Sequence, residues 1–282
     1  MKKVSGTLAV IVRSGELNRW VDEAVKSILQ SDDIALKVVL VLNGPNTSLE
    51  AAQIKSEEEQ YSWLTDSRVL VLRFNHYLGM SGSIIEGIKH VDTEYIANLD
   101  GDDIALPQRF VQQVEYLHSH PDCVLVGGRA HMIDEEGHQI GDLKSVVSDD
   151  IRKSLFLFNP IPHSSVMFRK SAYDKIGGHT PGLDQCEDYD LTLRIGTLGK
   201  VAVLSDFLVL YRVHTSNLSK GASPRGLHID CVTRGRRQLA KVLGVPAVLA
   251  LPPHLLWRGV QFARASGFIR PVHEYFTYFK RS

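Results

Sequence analysis

"YIANLDGDDIALPQRF" (Tyr95–Phe110) sets three aspartates, Asp100, Asp102 and Asp103, within four positions, directly after an apolar run. Carboxylates that close repel one another, so their crowding at the end of a strand-like segment needs a reason. Hard divalent cations are bound by oxygen ligands, and Mg2+ commonly takes one or two protein carboxylates and leaves its other positions to substrate phosphates. The competing reading is a solvated acidic turn ahead of the helix that Pro107 opens. The motif alone allows both.

Its flanks place it in a fold. "TLAVIVRS" (7–14), "KVVLVLNG" (37–44), "RVLVLRF" (68–74) and "EYIANLD" (94–100) are continuous apolar, β-rich runs. Between them, Leu17, Trp20, Val21, Ala24, Val25 and Ile28, then Ile84, Ile85, Ile88 and Val91, recur at helical spacing. Strands that alternate with helices and are apolar throughout predict an α/β domain whose parallel sheet is covered on both faces. Ligands bind such sheets beyond the carboxyl ends of the strands, where the strand order reverses. The aspartates close a strand, which puts them in that zone. Further on, "CVLVGG" (123–128) predicts a strand and "HMIDEEGHQIG" a hairpin around Glu136-Gly137. "HSSVMFRKSAYDKIGG" (163–178) predicts a strand and a short helix ended by Gly177-Gly178. "CEDYDLTLRIGTLG" (186–199) predicts a helix, and "VAVLSDFLVLYRVH" (201–214) strand-like runs.

Composition narrows the class. At 282 residues and 44% apolar the chain builds a sizeable core, and a formal net charge of zero gives no sign of a nucleic-acid partner. The charge is unevenly spread. Residues 221–282 hold ten Lys/Arg against two acids, so the first 220 carry a matching acidic excess. This divides the chain into a body, 1–220, and a basic C-terminal region, 221–282, joined through "SKGASPRG" (219–226). Residues 242–282 mix apolar clusters, aromatics and Arg/Lys. They suit either an interfacial membrane segment or a helical subdomain packed on the body. Cys123, Cys186 and Cys231 form neither a disulfide framework nor a metal spacing, which favours a reducing compartment. The N-terminal apolar run is too short for a signal-peptide core, and no 18-residue uncharged apolar stretch predicts a spanning helix.

Two later clusters carry chemistry. Glu187, Asp188 and Asp190 open a predicted helix, whose dipole favours acids there; one of them in reach of a hydroxyl would be a general base. In "YRVHTSN" (211–217), His214 offers a metal-ligating imidazole and Arg212 a planar fork for phosphate.

In their order and separations the three clusters resemble a family 2 glycosyltransferase with the GT-A fold, from about Thr7 to Ser219. The likeness is strongest in "EYIANLDGDDIALPQRFVQQVEYLHSHPD", "NPIPHSSVMFRKSAYDKIGGHTPGLDQCEDYDLTLRI" and "YRVHTSNLS". It implies a Rossmann-like, mostly parallel sheet with helices on both faces, followed here by a C-terminal helical segment. It implies an inverting enzyme that moves one sugar from a nucleotide sugar, UDP-sugar favoured, to a glycan or lipid-linked hydroxyl acceptor with Mn2+ or Mg2+. The setting implied is bacterial cell-surface glycan synthesis; the cysteines point to the cytoplasm, and the makeup of 242–282 to peripheral contact at the inner face of the plasma membrane. Carried over residue by residue, Arg13, Ser14, Asn43 and Gly44 lie near the base, Asp100 and Gly101 near the ribose, and Arg212 toward the phosphates. Asp102 and His214 hold the metal. Asp188 is the base, with Glu187 beside it.

Some positions depart from the pattern. Leu42 and Asn43 stand where an aspartate pair is frequent, and Ile84 and Ile85 where Arg or Asn is frequent; a diphosphate or helix-cap contact is expected to be lost. The Q-x-x-R-W motif of processive synthases is absent, which implies single-sugar transfer. A HAD-type phosphatase would need D-x-D-x-[TV] near the N-terminus; here Ile104 follows and about a hundred residues precede. Neither "VRSGEL" nor "VLNGPN" supplies G-x-G-x-x-G, and there is no Walker A loop. The departures also motivate a third reading, a glycosyltransferase-like subunit without catalysis.

Overall fold

The first strand, β1 (Thr7–Ser14), is buried on both faces, and this sets the layering. Side chains alternate across a strand. Leu8, Val10 and Val12 thus join one core with Val21, Ala24 and Ile28 of α1 (Arg19–Leu29) and Phe110, Val114 and Leu117 of α3 (Arg109–Ser119). Ala9 and Ile11 join the other core with Ile84 and Ile88 of α2 (Met80–Ile88) and Leu191 and Leu193 of α5 (Glu187–Ile195). The computed structural model describes residues 7–31, 33–44, 56–57, 59–215, 217 and 226–265.

The remaining strands are β2 (Ala35–Leu42), β3 (Val69–Arg73), β4 (Tyr95–Asp100), β5 (Ile104–Ala105), β6 (Cys123–Ile133), β7 (Gln139–Asp142), β8 (Met167–Arg169) and β9 (Lys200–Arg212). They form one sheet in the order β3-β2-β1-β4-β8-β6-β9-β5, with β7 paired to β6. The expected α/β architecture is present. β3, β2, β1 and β4 are parallel, as are β6 and β9. The short β8 runs antiparallel between β4 and β6 and joins the two blocks. The chain builds outward from β1 to β3, then returns to β1's other side with β4. The order therefore reverses between β1 and β4, whose carboxyl ends are Ser14 and Asp100.

A second junction completes the site. β5 follows the aspartates at once and pairs antiparallel with β9, Ile104 opposite Leu210. Continued outward, this register brings Arg212 and His214 alongside Asp102 and Asp103. Two residues of strand thus tie positions more than a hundred apart in the chain.

Of the linker expected at 219–226, only Gly226 lies within the described residues, as the first residue of α6 (Gly226–Val242). α6 packs on α5, and α7 (Ala247–Ala265) packs on α6 and on the 3-10 turn Ser154–Phe156. α4 (Lys170–Lys175) follows β8. Arg236, 3% exposed, is the joint. Its Nη2 donates to the Tyr189 hydroxyl of α5 (2.7 Å) and to the Leu157 carbonyl (3.2 Å), and its guanidinium lies 4.7 Å from the Trp257 ring of α7. Among the described residues no helix is long and apolar enough to cross a membrane. At Gly235 a Cβ would come within 2.9 Å of the Leu193 Cβ, so α6 seats on α5 only because that position has no side chain. Gly235→Val is expected to lower stability by about 1–3 kcal/mol in urea unfolding; an unchanged midpoint would show that α6 does not rest on α5.

Candidate active site

Arg13, at the end of β1, is the centre of the cleft. Its Nε donates to Asp100 Oδ1 at 2.7 Å, and its Nη1 donates to Glu187 Oε1 at 3.1 Å and to the Met80 carbonyl at 3.2 Å. The predicted nucleotide-side aspartate and Glu187 of the predicted catalytic pair are thereby joined through one guanidinium. Burial by itself disfavours the Arg13 cation, but Asp100 and Glu187 outweigh it and hold the pKa above the ordinary value. Burial likewise pushes Asp100 up, and Arg13 and His163 override it, leaving that carboxyl well below the usual range.

His163 completes the cluster. Its Nδ1 lies 3.0 Å from Arg13 Nη2 and 3.3 Å from Asp100 Oδ2. Nδ1 thus lies between a guanidinium, which only donates, and a carboxylate, which only accepts. Nε2 lies 3.0 Å from the Asn98 amide nitrogen. Ser164 braces Asp100 from below: its hydroxyl donates to Oδ2 (3.3 Å) and accepts from the Asp100 backbone N–H (3.1 Å).

The other two aspartates differ from Asp100 and from each other. Asp102 Oδ2 lies 2.8 Å from His214 Nε2, and the His214 ring packs tilted against Trp20, with centroids 4.7 Å apart. Burial, then Asp100, raise the Asp102 pKa against the opposing pull of His214. Asp103 is fully buried and accepts from the Arg212 N–H at 2.8 Å; burial and its two neighbours push it well above the ordinary range. It is also the carboxylate that offsets the burial of Arg109, a fully buried cation pushed down to about 9 by desolvation.

Arg212 does not face outward. Its side chain is 1% exposed; Nε donates to the Asp102 carbonyl (2.9 Å), Nη1 to the Asp134 and Glu135 carbonyls, and Nη2 to Glu23. It holds the aspartate turn from behind, and this spends the donors that the sequence reading gave to phosphate. Gly101 is pressed against β1: its N–H donates to the Arg13 carbonyl, and a Cβ would sit 2.9 Å from that oxygen. Gly44 is equally confined, since a Cβ there would overlap the Gly15 carbonyl. Asn43 is buried and its amide donates to Ser83 on α2. The Ser14 hydroxyl donates to the Glu16 carbonyl. Leu42 and Ile84, which depart from the family pattern, are core residues at 0% and 1% exposure.

α5 presents the acids. It begins after Cys186, a non-glycine residue at φ 57°, in the left-handed region that costs an L-residue roughly 1–2 kcal/mol. From that turn Glu187 reaches Arg13, while Asp188 reaches Asn159, whose Nδ2 donates to Oδ2 at 3.0 Å. Burial, then Glu187, raise the Asp188 pKa. Asp190 accepts from Thr180 and Arg194 and is 2% exposed, which makes it a packing residue.

Among the described residues no group of three or more His, Cys, Asp and Glu could hold a metal ion. The pair Asp102 and His214 nevertheless fits one. A carboxylate oxygen and an imidazole nitrogen already within 2.8 Å are two ligands of the type Mn2+ accepts, and a substrate diphosphate is the usual source of the rest.

The sequence reading missed His163, Asn98, Ser164 and Asn159. Asn98 had a signal, a polar residue two positions before Asp100 and so on the same face of an otherwise apolar strand. The partners of the other three come from distant chain segments.

Residues 10–177 match the family model described as glycosyl transferase family 2. The chain is 31% identical over 201 residues to the amylovoran biosynthesis glycosyltransferase AmsE of Erwinia amylovora, covering 71% of this chain and 73% of that one. It is 28% identical over 245 residues to the O-antigen biosynthesis glycosyltransferase WbnJ of Escherichia coli, covering 85% and 91%. Among solved structures, TarS 1–349 of S. aureus superposes with a TM-score of 0.59 at 15% identity, over 95% of this chain and 74% of that one. TarS 1–349 in complex with UDP-GlcNAc gives 0.59 at 14%, over 86% and 72%. The likeness to TarS is one of fold, and it agrees with the GT-A architecture expected from sequence.

The Arg13 hub predicts a large penalty. Arg13→Met removes the cation that Asp100 and Glu187 share and is expected to cost about 3–5 kcal/mol in urea unfolding. A loss below about 1 kcal/mol, the scale of an exposed pair, would show that the hub is not a buried network.

Proposed function

The chain belongs to glycosyl transferase family 2, and on that footing we propose that it moves one sugar, with inversion and with a divalent cation, from a nucleoside diphosphate sugar to a hydroxyl of a cell-surface glycan or its lipid-linked precursor. It is a glycosyltransferase. The finer reading is supported above all by one observation: Arg13 gathers Asp100 and Glu187 at the point where the strand order reverses, with Asp102 and His214 on one side and Asp188 on the other.

Each residue then has a task. Arg13, Asp100 and Gly101 shape the floor on which the nucleoside lies, with Ser14, Asn43 and Gly44 bordering the base. Asp102 and His214 would hold Mn2+ or Mg2+, which when bound offsets the charge of the departing diphosphate. Asp188 accepts the proton of the acceptor hydroxyl as that oxygen bonds the anomeric carbon from the face opposite the diphosphate. The bond to the diphosphate breaks with its electron pair, and the configuration inverts. Glu187, held by Arg13, orients the start of α5. A base needs a pKa near working pH, and the upward shift of Asp188 moves it in that direction. UDP is favoured as the nucleotide, in line with the UDP-GlcNAc that TarS binds. Residues 1–220 carry the chemistry and 221–282 form a C-terminal region. Three cysteines without disulfides fit a cytoplasmic setting.

Asp188→Asn is expected to lower kcat about 10²–10⁴-fold with nucleotide affinity unchanged by calorimetry. In the wild-type enzyme, protonation of Asp188 shuts the reaction down as pH falls. The acidic limb of kcat/KM is therefore expected above the ordinary aspartate value of about 4. Equal loss of binding and transfer in the Asn variant would make Asp188 a structural residue.

A further inference from the structure

α7 is apolar almost all round. Its inner face seats Trp257 and Gln261 on the body, each 7% exposed, while Val248, Leu249, Leu251, Leu255 and Leu256 stand 53–73% exposed on the outside. A helix hydrophobic on every side belongs in an apolar environment, and a contiguous patch of this kind on a water-facing surface marks an interaction site. Leu157 and Phe158, both 46% exposed, directly follow the 3-10 turn against which α7 packs, and the Leu157 carbonyl is held by Arg236. The next residue, Asn159, bonds Asp188, so this apolar surface borders the Asp188 side of the cleft.

Charge selects the occupant. From Cys231 through His273 the chain has seven Lys/Arg and no acid. Arg234, Arg237 and Lys241 are exposed on α6 at helical spacing, and Arg258 is exposed on α7 itself. A second copy would set two cationic surfaces face to face, whereas an anionic lipid surface neutralises them. The prolines select the depth. Pro252 and Pro253 stand inside α7 and bring no N–H, so the carbonyls four residues earlier, at Val248 and Leu249, lack a helical donor. Those oxygens need water or headgroups, which exist at the interface and not in the hydrocarbon core. We propose that the outer face of α7, with Leu157 and Phe158 and the exposed basic residues of α6, docks the protein in the plane of an anionic bilayer. This turns the Asp188 side of the cleft toward the membrane. Only the consequence that a lipid-linked acceptor enters from that plane rests on the function proposed above.

Flotation of the full chain with vesicles of phosphatidylcholine alone, or mixed with phosphatidylglycerol, tests the surface. The protein is expected to float with the anionic vesicles, less so at high salt, and not with the zwitterionic ones. Leu249→Glu with Leu256→Glu is expected to weaken partition at least about tenfold. Arg237→Ser and Lys241→Ser are each expected to weaken it roughly fivefold. An unchanged urea midpoint for the Glu pair shows that the fold survives. Three outcomes would overturn the proposal: no flotation with either vesicle, equal flotation of wild type and the Glu pair, or a dimer in solution that the Glu pair dissociates. Flotation reads no sugar transfer, so its failure would leave the proposed reaction standing, and a failed transfer assay would leave the surface standing.

Discussion

One buried guanidinium holds this molecule's cleft together. Arg13 extends from the end of β1 and bonds partners 87 and 174 residues away, Asp100 on β4 and Glu187 on α5, as well as the first residue of α2. Removing a charge from water is costly, and it is tolerated here because two carboxylates meet it. The sheet makes the meeting possible. β1 and β4 lie side by side in register, Arg13 opposite Asp100, at the point where the strand order reverses. Two motifs far apart in sequence become one site because the same side chain neutralises both.

The three aspartates of "LDGDD" are chemically distinct once their neighbours are known. Asp100 is held ionised by Arg13 and His163. Asp103 is sealed in the core, where it accepts from the Arg212 N–H and balances Arg109. Asp102 retains 28% of its side-chain exposure, has His214 as its partner, and is pushed up by burial and by Asp100. Asp102 is therefore the aspartate that combines exposure with an imidazole partner, where a divalent cation and a diphosphate would complete the balance.

Much of this was legible in the sequence, because the informative features are local. The apolar runs at 7–14 and 94–100 become β1 and β4, and the acids of "CEDYD" open α5, because burial on both faces and the helix dipole are written in neighbouring residues. What was not legible depends on pairing between distant segments. The two-residue strand β5 carries no periodicity, yet its ladder with β9 decides that His214 meets Asp102 and that Arg212 turns inward. "NPIPHSS" carries part of the family likeness but no local cue to its contacts; only the fold shows His163 between Arg13 and Asn98, and Asn159 on Asp188. Likewise Ile84, read as a lost polar contact, is a core residue of α2.

The proposed transfer requires the aspartate turn and His214 to form a site that a cation and a nucleoside diphosphate complete together. Isothermal titration of UDP, GDP and dTDP into the protein, each with and without Mn2+, tests this most directly. One diphosphate, UDP foremost, should bind with Mn2+ present and far more weakly without it, and Asp102→Asn should abolish the difference. Failure of all three nucleotides to bind in the presence of Mn2+, or binding of UDP that is indifferent to the metal, would contradict it.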